Sequence, residues 1–142
     1  MPRTVLVDSG GARHVQRISA RSHHLQADEP RDAGGGDAGF DPYELLLAAL
    51  GACTSITVRM FAERRQWPLE GVRVALYHAK AHAEDCATCD TEVRMIDRID
   101  VELLLFGPLS DDQLTRLLEV AKKCPVHRTL SNPISIRVRL SK

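Results

Sequence analysis

Four cysteines, Cys53, Cys86, Cys89 and Cys124, have the widest chemical repertoire in this chain. A thiol can pack as a small inert hydrophobe, ionise to a nucleophile, or ligate a metal. Cys53 stands in an apolar run, Leu50-Gly51-Ala52-Cys53-Thr54, where inert packing is the ordinary outcome. To react near neutral pH it needs a cation beside it, and Arg13, Arg17 and Arg21 are the candidates among the N-terminal segments. Cys124 sits differently, after Lys122-Lys123 and before Pro125-Val126-His127-Arg128. Several positive charges are close to it in sequence, and a helix end is more mobile than a helix middle, which suits a thiol that must move to meet a partner. The spacing alone does not bring the two thiols together.

A second group is His78, His82, Cys86 and Cys89, spaced H-x3-H-x3-C-x2-C. These are zinc-compatible ligand types, and Cys-x2-Cys also suits a redox pair. If the chain stays extended from His78 to His82, the two histidines share one face but lie roughly 13 Å apart, too far for one ion unless the chain bends. A hairpin tip without special chemistry is the third reading.

The elements that must position these residues can be read from periodicity. Thr4 to Asp8, His14 to Ala20 and His23 to Ala27 have strand-type content and are separated by Ser9-Gly10-Gly11 and Arg21-Ser22, which predicts an N-terminal β-meander. Asp28 to Asp41 carries Pro30, Gly34-Gly35-Gly36 and Gly39 and almost no apolar residue, so an irregular connection is expected, of a length that usually serves function. Asp41, Pro42 and Glu44 form a helix start, with Glu44 at the capping-box position. The helix should reach about Arg65. Leu45, Leu46, Leu47, Ala48, Ala49, Leu50, Ala52 and Cys53 make it apolar on nearly every face, so burial all round is expected, with a second subunit covering one side. Val72 to Ala79 and Val93 to Phe106 predict two long antiparallel strands. Ser110 opens a second helix with Leu114, Leu117, Leu118 and Ala121 on one face, and Pro125 stops it. Ile134, Ile136, Val138 and Leu140 alternate as a closing strand.

Length and charge bound the function. The 142 residues fit one domain, and 19 basic residues balance 19 acidic ones, so neither nucleic acid nor an anionic membrane surface is indicated as a partner. The stretch Leu45 to Ala62 is interrupted by Thr54, Ser55, Thr57 and Arg59, which favours a buried helix over a membrane span of about 20 apolar residues. Met1 to Asp8 has no apolar core with a cleavage site, so a cytoplasmic location is expected, where four cysteines are not a permanent disulfide framework.

Two stretches taken together are specific. Pro42-Tyr43-Glu44-Leu45-Leu46-Leu47-Ala48-Ala49-Leu50-Gly51-Ala52-Cys53-Thr54 and Lys123-Cys124-Pro125-Val126-His127-Arg128-Thr129-Leu130 resemble the signatures of the OsmC/Ohr family, and His24 to Pro30 and Gly107-Pro108-Leu109 are similar in kind and order. The resemblance implies an α+β fold over residues 1–142, assembled as an intertwined homodimer. It implies reduction of organic hydroperoxides without cofactor or metal, with Cys53 as nucleophile, Cys124 as resolving thiol, and a dithiol, often protein-bound lipoyl, as reductant. It further implies a supporting arginine in the first strands, for which Arg17 is the choice with Arg13 and Arg21 close behind, and a glutamate. The family glutamate lies ten residues before the nucleophile, where Tyr43 stands. Glu44 is one position out of register, about 100° of rotation on a helix, so it serves either as that carboxylate or only as the N3 capping residue. The family peroxidases need no Cys-x2-Cys, so Cys86 and Cys89 suggest a divergent subgroup, and a metal-binding or redox-sensing protein with little turnover is the alternative. Nothing in the sequence selects one hydroperoxide or one reductant.

Overall fold

The computed structural model describes residues 2–82 and 95–141. In order, these form β1 (Leu6–Ser9), β2 (Gln16–Ala20), β3 (His23–Ala27), a short 3₁₀ turn (Arg31–Ala33), α1 (Pro42–Arg64), β4 (Gly71–His82), β5 (Met95–Phe106), α2 (Asp111–Ala121) and α3 (Pro125–Leu130). The chain divides into two compact units, Met1–Ala48 and Ala49–Lys142.

In the first unit β1, β2 and β3 form an antiparallel meander, as the alternating segments predict. Arg17 lies at the centre of β2, opposite Asp8 on β1 and Gln26 on β3. The glycine-rich connection that follows is organised by one carboxylate. Asp28, only 2% exposed, accepts through Oδ1 from the Glu29 N–H at 2.8 Å and through Oδ2 from the N–H groups of Gly36 at 3.0 Å and Ala38 at 3.1 Å. A side chain at Gly35 would run into the Glu29 carbonyl, so the glycine is required by close backbone approach.

The hydrogen bond from Ala38, assisted by those from Glu29 and Gly36 and by the charge of His14, outweighs burial and holds the Asp28 carboxyl below its usual range. A carboxyl depressed on folding contributes stability that is present above its unfolded pKa, about 3.9, and is lost as pH falls through the folded value. Asp28→Asn turns an amide donor toward N–H groups that need an acceptor. Its thermal midpoint should fall by several degrees at pH 7, and the gap from the parent should close below about pH 4. Thermal melts followed by circular dichroism across that range test this, and a gap independent of pH would show that charge is not what anchors the loop.

In the second unit β4 and β5 pair antiparallel from Gly71↔Phe106 to His82↔Met95. Val58 and Ala62 of α1 meet Leu117 and Ala121 of α2 in the core, with Phe61, Trp67, Leu69, Val72, Leu103, Leu105 and Leu109 packed around them. Helix α2 opens on a full capping box between Ser110 and Gln113.

Within this single chain Leu50, Thr54, Val58 and Ala62 of α1 form a buried stripe at four-residue spacing, while Leu46, Ile56 and Met60 are exposed, on a helix for which a second subunit is expected to cover one side. One chain supplies neighbours for only one face of the helix. By length and composition α1 is apolar enough to cross a membrane, a test that the core helix of a soluble protein also passes. Ile134 to Leu140 is not a strand, because no segment among the described residues pairs with it, and Ile136, Val138 and Leu140 are 81%, 93% and 96% exposed.

Candidate active site

Cys53 sits half-buried in the middle of α1, beside the buried stripe. Gly51, two positions before it, lets the helix close on β4: an added Cβ would lie 2.7 Å from Leu76 Cδ1. The next residue, Thr54, is 3% exposed and lies in the stripe itself. Its hydroxyl donates to the Leu50 carbonyl oxygen at 2.8 Å, the usual way a helical threonine satisfies a buried proton.

Cys124 is not at a loose helix end. It is fully buried and caps a further helix, α3, that the sequence reading missed. Pro125 ends α2 and at the same time occupies the first position of α3, where its missing N–H costs nothing. The sulfur of Cys124 takes the place of the usual oxygen cap and accepts from the His127 N–H at 3.2 Å. Its other neighbour is Thr54 Oγ1, at 3.7 Å. The tertiary fold therefore brings Cys124 against the residue adjoining Cys53. Both thiols are free. A largely apolar cavity of about 250 Å³ opens beside this contact, lined by Thr54, Ile99, Val101, Leu103, Leu118 and Ala121, with Asp100, Lys122 and His127 at its polar edge. Thr54 was legible only as a polar interruption. Its four-residue spacing from Leu50 and Val58 was the available signal.

Arg17 belongs to the first unit, is exposed, and lines a depression of about 430 Å³ with Asp8 to Ala12, Val15 and Gln26. Arg13 and Arg21 occupy turns with φ of 30° and 56°. Glu44 completes the capping box: its N–H donates to Asp41 Oδ1 at 2.8 Å and its Oε1 accepts from the Asp41 N–H at 3.2 Å. His78 and His82 both lie in β4, which stays extended between them, so the bend that would let them share an ion is absent. His78 Nε2 is instead 2.8 Å from Asp97 Oδ1, and Lys80 Nζ is 2.7 Å from the same oxygen. Lys80 first and His78 second hold the Asp97 carboxyl below its usual range. Cys86 and Cys89 lie outside the described residues.

Residues 34–139 match the family model described as OsmC-like protein, a span that includes both thiols and Thr54. The chain belongs to the OsmC-like family. Solved structures agree at the level of fold. This OsmC-like chain superposes on an OsmC-like protein of Mycoplasma pneumoniae with a TM-score of 0.68 at 19% identity, covering 92% of this chain and 88% of that one. An organic hydroperoxide resistance protein OsmC from Legionella pneumophila gives 0.62 at 19% identity over 89% and 88%. A third, an organic hydroperoxide resistance protein from Elizabethkingia anophelis, gives 0.63 at 13% identity over 91% and 87%. No curated protein matches the sequence. The α+β class and the OsmC-like fold that the resemblance implies are thus those of the structure.

Proposed function

We propose that this OsmC-like protein is a cysteine-based peroxidase that reduces organic hydroperoxides to alcohols. The observation that carries the reading is the burial of Cys124 Sγ against Thr54, the residue next to Cys53. The likeness to proteins named for organic hydroperoxide resistance supports it. The Cys53 thiolate attacks the terminal peroxide oxygen, the O–O bond breaks, the alcohol leaves after taking a proton, and Cys53 becomes a sulfenic acid. Cys124 then attacks that sulfur, an S–S bond forms, the S–O bond breaks, and water leaves. A dithiol reductant, with protein-bound lipoyl as one candidate, returns the pair to thiols by exchange. Arg17 and Glu44 enter this reading through the family resemblance, as the cation and carboxylate that support the thiolate.

The exposed Ile56 and Met60, close along α1 to Cys53, favour a peroxide with an apolar substituent over hydrogen peroxide. The same uncovered face, together with exposed Ile134, Ile136, Val138 and Leu140, supports assembly as a homodimer. The test is peptide mapping after one equivalent of cumene hydroperoxide is added to the reduced protein. A Cys53–Cys124 disulfide in most chains is expected. A disulfide found only between Cys86 and Cys89 would move the chemistry to that pair.

A further inference from the structure

We infer that Thr54 is the positioning residue for the resolving thiol, an assignment that rests on Cys53 and Cys124 being the reactive pair. Within the buried stripe of α1, Leu50, Val58 and Ala62 are apolar, and Thr54 alone carries a hydroxyl. Its single proton is committed to the Leu50 carbonyl oxygen at 2.8 Å. The same hydroxyl oxygen lies 3.7 Å from Cys124 Sγ, in hydrogen-bond contact with the sulfur. From the opposite side the His127 N–H donates to the same sulfur at 3.2 Å. The sulfur is held between the Thr54 hydroxyl and the His127 N–H, in a site with no solvent exposure, facing the turn of α1 that carries Cys53. When Cys53 has become a sulfenic acid, Cys124 Sγ attacks its sulfur. The S–S bond forms, the S–O bond breaks, and the thiol proton leaves with the hydroxide as water. Thr54 fixes which way the attacking sulfur faces and takes no part in the peroxide step.

Thr54→Val keeps the side-chain volume and removes the hydroxyl, and Thr54→Ser keeps the hydroxyl and removes the methyl group. The full-length protein is mixed with one equivalent of cumene hydroperoxide, quenched over time with dimedone, and mapped by mass spectrometry. In Thr54→Val the Cys53 sulfenic acid should form at the parent rate and accumulate as its dimedone adduct, with disulfide formation slowed about tenfold or more. Thr54→Ser should restore disulfide formation to near the parent rate. Parent-like disulfide formation in Thr54→Val overturns the assignment, as does equal slowing in Thr54→Ser, which would trace the effect to methyl packing. Parent protein that yields neither adduct nor disulfide would instead overturn the peroxidase reading beneath it.

Discussion

Cys53→Ser is expected to abolish consumption of an alkyl hydroperoxide, with a loss on the order of a thousandfold or more in rate. The substitution changes one atom at a half-buried position of α1, so the fold should survive it. A serine hydroxyl hardly ionises near neutral pH and oxygen is a poor nucleophile toward peroxide, so the first step is lost outright. Cys124→Ser should behave differently. Cys53 can still be oxidised once, so one equivalent of hydroperoxide per chain should be consumed, after which the protein stalls as a sulfenic acid that dimedone captures. A coupled assay with a dithiol reductant measures turnover, and intact-protein mass spectrometry measures the single oxidation. Turnover retained in Cys53→Ser would remove this thiol from the mechanism, and turnover retained in Cys124→Ser would remove the proposed resolving step.

The second large effect is on stability. Leu117 is completely buried between α1 and α2, against Val58, Ala62 and Ala121. Leu117→Ala should cost about 2–5 kcal/mol, the transfer free energy of the lost methyl groups plus the cavity they leave. Leu118, on the same helix, is 49% exposed, and Leu118→Ala should stay within about 0.5 kcal/mol. Denaturant melts of the two variants give the comparison directly. The core and the chemistry are coupled here, because α2 ends just before Cys124, whose burial depends on the docking of that helix. Alkylation of Cys124 under native conditions should therefore be faster in Leu117→Ala than in the parent. Equal alkylation rates would mean that the thiol is held by its contacts with Thr54 and His127 alone.

Much of this protein is written locally. The capping boxes at Asp41 and Ser110, the alternation in β4 and β5, and the turn at Arg21-Ser22 depend on neighbours a few residues away, so the sequence by itself determined those elements and their order. The two cysteine stretches likewise pointed to the family before any geometry. Local logic also sets the limits of that reading. A run such as Leu45 to Cys53 declares that a helix is apolar but not which face is covered, and the closing strand lacked only a partner to pair with. Pro125 reads as a stop, because its role in opening α3 depends on a sulfur serving as the cap. The placement of Cys124 against Thr54 joins residues far apart in the chain, and only the tertiary structure decided it. The physical reason is that a contact of this kind comes from packing α2, and Cys124 just after it, onto the buried stripe of α1, and no propensity or periodicity encodes where two such surfaces will meet.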